Sequence, residues 1–375
     1  MSARKIALLA LTQIEFEGAY ANIALPQLLE KSKLDQRDRG FATELVYGST
    51  RMRRALDFAA DRFLSKDPPD ALRTMLRMGA YQILFMNVPV HAAVGETVEL
   101  APTKFKPVVN AVLRKISGNP PNWPDLATEL SYPDWIVRRF IAEMGEQDAF
   151  EALSRMNVAP SVTTREDGYV QDRSSTWVAD LVEAQPGDIV LDMCAAPGGK
   201  ATRLADCAGL VVAADRQPHR ARLVAGNVRR LHQDNVAVIV ADATIPPFQP
   251  ASFDRVLVDA PCSGLGALRR RPDARWRMTS TGVDQLVSIQ RDILATARKL
   301  VKPGGVLVYS VCTITAAESI DHDDGAWEAL PMPNAPWRAF GRGARLLPHD
   351  DDTDGMVILR WKRPAGGLTE STRTH

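Results

Sequence analysis

Two patterns of apolar and polar residues divide the chain. Up to residue 118 apolar positions recur at helical spacing. After the breaker Pro68-Pro69, Leu72, Met75, Leu76, Gly79 and Ile83 share one face, as do Val108, Val109, Val112, Leu113 and Ile116 further on. The start reads as an amphipathic helix capped by Ser2; its basic opening turns acidic at Glu15 and Glu17 without a cleavage signature, so no signal peptide is expected. A Pro/Asn break at Asn119–Pro124 ends this region, and residues 131–157 read as a short helical connector. From residue 175 onward, strand and helix patterns alternate. Strands are expected at 188–192, 210–215, 236–241, 255–259 and 305–310, with helices at 200–208, 218–232 and 283–300. That alternation predicts an open, mostly parallel α/β sheet, with 356–361 as an edge strand closing it. Gly366–His375 reads as a polar, disordered tail.

Composition narrows the class. A chain of 375 residues with 45% hydrophobic positions has room for two cores. No apolar run is long enough to span a membrane. The four cysteines, Cys194, Cys207, Cys262 and Cys312, show no CxxC spacing, and the six histidines form no metal pattern with them. A reduced, cytoplasmic, metal-free protein is therefore expected, and a monomer is expected as well. The net charge of +1 hides an asymmetry: residues 1–120 carry 17 Lys+Arg against 12 Asp+Glu, the remainder 29 against 33. A basic module on a mildly acidic body points to a nucleic-acid partner.

The stretch around which the chemistry is organised is Ile189–Lys200, a strand, a Pro-Gly-Gly turn and a helix start. Such a loop aims backbone N–H groups and a helix N-terminus at a ligand. A dinucleotide fingerprint needs G-x-G-x-x-G, whereas glycines stand only at 198 and 199. A P-loop needs a Gly where Cys194 stands and a Ser/Thr where Ala201 stands. A nucleoside-methionine site needs less phosphate-cradling backbone and remains open.

Further motifs carry a resemblance. Asp38–Gly48, Val88–Leu100 and Lys106–Arg114 resemble the NusB-like RNA-binding domain, which in fused form precedes bacterial ribosomal RNA cytosine-5 methyltransferases of the RsmB (Sun, Fmu) type. The resemblance implies an all-α NusB-like N-terminal domain (1–120), a connector (121–168), an α/β Rossmann-like S-adenosylmethionine-dependent methyltransferase domain (169–365) and the tail (366–375). Family members usually carry a small RRM-like subdomain in the connector; here there is barely a linker.

Each strand of the second region ends in an acid: Asp192, Asp215, Asp242 and Asp259. One such residue is commonly a helix cap; four in register favour a shared site outside the C-terminal strand ends. The sulfonium of S-adenosylmethionine tolerates these acids better than a pyrophosphate would. By resemblance, Cys194, Ala195, Ala196, Pro197, Gly198, Gly199, Lys200, Asp215, Asp242 and Asp259 line its pocket. Asp215 is expected at the ribose hydroxyls and Asp242 at the adenine amino group.

Asp259-Ala-Pro-Cys262 and Ser310-Val-Cys312 place two cysteines past strand ends. Either alone would more often be a small buried residue. Together they suit a pyrimidine: a thiolate added to C6 makes C5 enamine-like and able to take a methyl group. By resemblance Cys312 attacks, Cys262 assists release, and Asp259 faces N3. Cys207 reads as structural. Arg269, Arg270, Arg271, Arg275 and Trp276 are expected to hold RNA by phosphate contact and stacking. After the nucleophile the family's paired Glu is only loosely matched by Ala316-Ala317-Glu318-Ser319, a difference expected to alter a substrate loop. The family's Asp-Gly-aromatic ending stands here as Asp354-Gly355-Met356, and this difference too is expected to alter a substrate loop rather than abolish chemistry. The expected activity is methyl transfer to C5 of a cytosine in 16S (small-subunit) rRNA. Its alternatives are a family member acting on another rRNA site or on tRNA, a non-catalytic RNA-binding factor, and a dehydrogenase.

Overall fold

The computed structural model describes residues 1–366, so the expected tail lies outside the described residues apart from Gly366. Two compact units are present. The first takes in Met1–Ile141 together with Leu268–Arg277; the second begins at Ala142 and contains the rest.

Seven helices form most of the first unit: α1 (Ala3–Phe16), α2 (Ala21–Glu30), α3 (Gln36–Arg51), α4 (Arg53–Asp61), α5 (Asp70–Leu84), α6 (Val90–Leu100) and α7 (Lys106–Gly118), followed by the one-turn α8 (Leu126–Glu129). Ser2 caps α1, its hydroxyl accepting from Lys5 N at 3.4 Å, and Asp35 caps α3 by accepting from Asp38 N at 2.8 Å. The predicted faces of α5 and α7 meet in one core: Leu72, Met75, Leu76, Val109, Val112, Leu113 and Ile116 are all buried. Gly48 on α3 leaves room for the Tyr81 ring of α5, whose hydroxyl donates to Glu44. The buried Arg77 guanidinium is held by Asp57 at 2.7 Å and Glu15 at 2.9 Å.

The piece Leu268–Arg277, containing a short helical turn at Ala274–Arg277, completes this unit. Arg275 is fully buried and lies 3.8 Å from the Tyr132 ring centroid. Its guanidinium donates to the carbonyls of Arg51 and Ser131 and to the Tyr132 hydroxyl. Burial lowers its pKa, but three partners and an aromatic face keep the cation bound in place. Residues Asp134–Arg155 form helical segments broken at Gly145 (φ 82°), labelled α9.

The second unit, after α10 (Arg173–Asp180), alternates strand and helix: β1 (Ile189–Asp192), α11 (Gly199–Ala205), β2 (Leu210–Asp215), α12 (Pro218–Arg230), β3 (Val236–Val240), β4 (Phe253–Asp259), α13 (Ser280–Leu300) and β5 (Val301–Val311). Then come β6 (Glu328–Ala329), β7 (Arg338–Phe340), β8 (Gly343–Leu346) and β9 (Met356–Lys362). Among the described residues nine strands make one sheet in the order β3-β2-β1-β4-β5-β9-β8-β7, with β6 on β9. The first five strands are parallel; β9 runs antiparallel to β5. The expected Rossmann-like sheet is present, but β9 is not its edge. β9 pairs β5 on one side and β8 and β6 on the other, which fits its near-continuous apolar run, buried at six successive positions. The short strands β6–β8 had no alternating pattern long enough to read.

Candidate functional site

The site is built at the C-terminal ends of the parallel strands. After β1, the chain turns through Met193–Gly198 into α11. Gly198 takes φ 110°, and a Cβ there would lie 3.2 Å from the Val224 backbone, so glycine is required both by conformation and by the closeness of α12. A Cβ at Gly199 would lie 2.8 Å from Tyr169 and Gln171. A cleft of about 160 Å³ opens here, lined among others by Tyr169, Gln171, Asp192, Cys194, Ala195, Ala196, Pro197, Gly199, Lys200 and Asp259.

Its electrostatics are acidic. Asp192 is 1% exposed, accepts from Cys194 N at 3.4 Å through Oδ1, and has no partner on Oδ2. Burial, with Asp259 nearby and Lys200 opposing, raises its carboxyl to about 7. Lys200 Nζ sits 2.7 Å from Asp259 Oδ2; burial alone would lower its ammonium, but Asp259 outweighs it and holds the charge on. Burial first, and the acids of the site after it, push the Cys194 thiol up, so it lines the cleft as a neutral group.

Asp215 is buried and braces the loop. Its Oδ1 accepts from Gln217 N at 3.0 Å and its Oδ2 from Ala196 N at 3.3 Å. Asp242 accepts from Thr244 N and Oγ1 at 2.9 and 2.7 Å and lies 3.3 Å from Arg216; those Thr244 bonds hold its carboxyl below the usual range. Neither is among the residues lining the cleft. Their remaining lone pairs are the acceptors available to a ligand's hydroxyl or amino groups.

Two strand ends, those of β4 and β5, bring the reactive residues together. Asp259, at the end of β4, accepts from Ser310 Oγ of β5 at 2.8 Å. The Cys262 and Cys312 sulfurs are 3.3 Å apart. The contact with Cys312, and then burial, raise the Cys262 thiol well above its ordinary value, so Cys262 rests protonated. Cys207 lies apart and is exposed.

Glu318 lies in the stretch after Cys312 where the family's paired Glu is only loosely matched. It is fully buried and accepts from Ser263 N (2.7 Å), Ser263 Oγ (2.6 Å), Thr313 Oγ1 (3.1 Å), Thr315 Oγ1 (2.9 Å) and Gln290 Nε2 (3.3 Å). Its signals in the sequence are its place where the family's paired Glu is loosely matched and the hydroxyl-bearing residues beside it. One expectation is corrected: Arg269 and Arg275 are buried in the first unit, at 1% and 0% exposure, and cannot meet phosphates there. Their neighbours differ: Arg271 is exposed over the Tyr20 ring, Arg270 is half-buried, and Trp276 donates to Thr50 O at 2.6 Å beneath Arg53.

The sheet order and acidic cleft define the Rossmann-like class of S-adenosylmethionine-dependent methyltransferases. The unpartnered, buried Asp192 Oδ2 and the acids around it suit the sulfonium and amino group of that cofactor. Comparison with known proteins narrows the class. Residues 179–362 match the family model "16S rRNA methyltransferase RsmB/F", and residues 1–118 match the NusB family. A Synechocystis protein named "Probable ribosomal RNA small subunit methyltransferase B" is 31% identical, over 97% of this chain and all of its own. Ribosomal RNA small subunit methyltransferase B of Serratia proteamaculans is 28% identical, over 95% of this chain and 97% of its own. The solved structure of PH0851 shares the fold, with a TM-score of 0.76 at 22% identity over 95% of this chain and 96% of its own. The chain belongs to the RsmB/F family of S-adenosylmethionine-dependent rRNA methyltransferases, with an N-terminal NusB domain.

Proposed function

We propose that the protein methylates C5 of a cytosine in 16S rRNA, with Cys312 as nucleophile, Cys262 assisting release and Asp259 at N3. One observation carries this reading: two sulfurs in contact at 3.3 Å, beside a strand-end carboxylate fixed by Lys200 and Ser310. A lone buried cysteine would need no second thiol against it. Bound S-adenosylmethionine supplies an electrophilic methyl group. Cys312 adds to C6 of the base, and C5 becomes nucleophilic as a result. Addition at C6 makes N3 basic; N3 takes up a proton from solvent, and the N3–H then donates to the Asp259 carboxylate, which is oriented from both sides. Once C5 has taken the methyl group, its proton passes to water, the C5–C6 double bond re-forms, and the C6–S bond breaks to release Cys312 as a thiolate. The Cys262 thiol, held protonated against that sulfur, is placed to receive the departing thiolate by hydrogen bond. The exposed Arg271 and Tyr20 of the first unit suit a single-stranded RNA partner.

The test is methyl transfer to unmodified small-subunit rRNA with denaturing gels read in parallel. Cys312→Ala should lose both transfer and adduct; Cys262→Ala should retain a covalent RNA adduct that survives denaturation. Normal turnover by either variant would overturn these roles. RNA binding by the wild type with neither transfer nor adduct would leave a binding protein instead.

A further inference from the structure

We infer that Glu318 is a positioning residue that sets the separation of the two reactive thiols by clamping the residue that follows each of them. This inference rests on the cytosine-5 reading and deepens it. Ser263 directly follows Cys262, and Thr313 directly follows Cys312. One Glu318 carboxylate takes both: Ser263 through its backbone N–H and its hydroxyl, Thr313 through its hydroxyl. The two hydroxyls also meet each other at 3.0 Å, closing a ring of contacts across the β4 and β5 loops. Gln290 of α13 donates to the same carboxylate and to Pro261 O at 3.0 Å, so the Cys262 loop is held from both its ends. Tyr309 OH donates to Glu318 O at 2.7 Å and fixes the clamp's own backbone on β5.

The chemistry of the partners explains the residue type. Every group facing the carboxylate can donate, and the Ser263 N–H and the Gln290 amide can only donate there, so an acceptor-only ion satisfies them all. A buried carboxylate without such partners would be costly; with five donors it stiffens the surrounding loops. Glutamine would keep an acceptor for Ser263 N–H and turn its amide toward hydroxyls that can rotate to accept. Alanine would release both loops.

The test uses the full-length enzyme and two readouts. Phenylarsine oxide bridges two thiols only when they are close, and peptide mapping shows whether Cys262 and Cys312 share one arsenic. In the wild type they should. Glu318→Ala should lose the bridge while both cysteines still alkylate singly. It should also cut kcat for rRNA methylation by about a hundredfold or more, with the KM for S-adenosylmethionine within about threefold, the size expected for misplacing a reacting group. Glu318→Gln should recover part of both. A bridge that survives Glu318→Ala, or a kcat that survives loss of the bridge, overturns the inference. If the alanine variant does not fold, Thr313→Val gives the same comparison with one bond removed. A wild type that bridges arsenic but methylates no RNA sinks the cytosine-5 reading and leaves the clamp's geometry measured.

Discussion

At the scale of single residues, burial decides what each charged group can do. Asp192 ionises near 7 because it lies in the protein interior beside Asp259, with Lys200 only partly offsetting both. Between about pH 4 and 7 the folded chain therefore holds a proton that the unfolded chain has lost, and stability falls as pH rises through that window, by up to about 1.4 kcal/mol per unit. The thermal midpoint of the ligand-free protein should drop over this range, and less so in Asp192→Asn. A cationic ligand prefers the ionised form, so the affinity for S-adenosylmethionine should rise from about pH 6 to 8 in the wild type and stay flat in the variant, as calorimetry can measure. Arg275 and Arg271 stand four residues apart with opposite fates. Arg275→Ala removes the donor that serves two buried carbonyls and the Tyr132 hydroxyl, and denaturant titration should show a loss on the order of 3 kcal/mol or more. Arg271→Ala removes an exposed cation from Tyr20 and should leave stability within about 0.5 kcal/mol while weakening RNA binding. A string of arginines in a sequence does not say which of them are interior, because the discriminating partner, Tyr132, is far away along the chain.

At the scale of elements, regular patterns were readable and irregular ones were not. The helical stripes of α5 and α7 and the strands β1 and β2 are where apolar spacing put them, since each buries a repeating face. The Pro-Gly-Gly turn was legible because few conformations suit it. The Glu318 clamp was not: its donors come from the β4 loop, the β5 loop and α13, which only the folded chain brings together. For the same reason β9 was misjudged as an edge, its second neighbour being a four-residue strand. Gly48 tests an element contact. A Cβ there would lie 1.9 Å from the Tyr81 ring, itself buried and bonded to Glu44, so Gly48→Ala must push α3 from α5. A loss of about 1–3 kcal/mol on thermal or chemical unfolding is expected, with cofactor affinity unchanged.

At the scale of the whole molecule, the two units have separate cores, one from helices and one from a mixed sheet. Their chemistry also differs. The positive balance lies in residues 1–120, and the acidic cleft and thiols lie in the second unit. Among the described residues no helix is long and apolar enough to cross a membrane. The segment Leu268–Arg277 gives this arrangement a consequence in time. A ribosome delivers Met1–Ile141 early, yet the side chain that fills the space against Tyr132 arrives only after residues 142–267 have been made, on the order of ten seconds of translation. For that interval the nascent helical unit lacks the donor to its Arg51 and Ser131 carbonyls, and a chain released before Arg275 would never supply it.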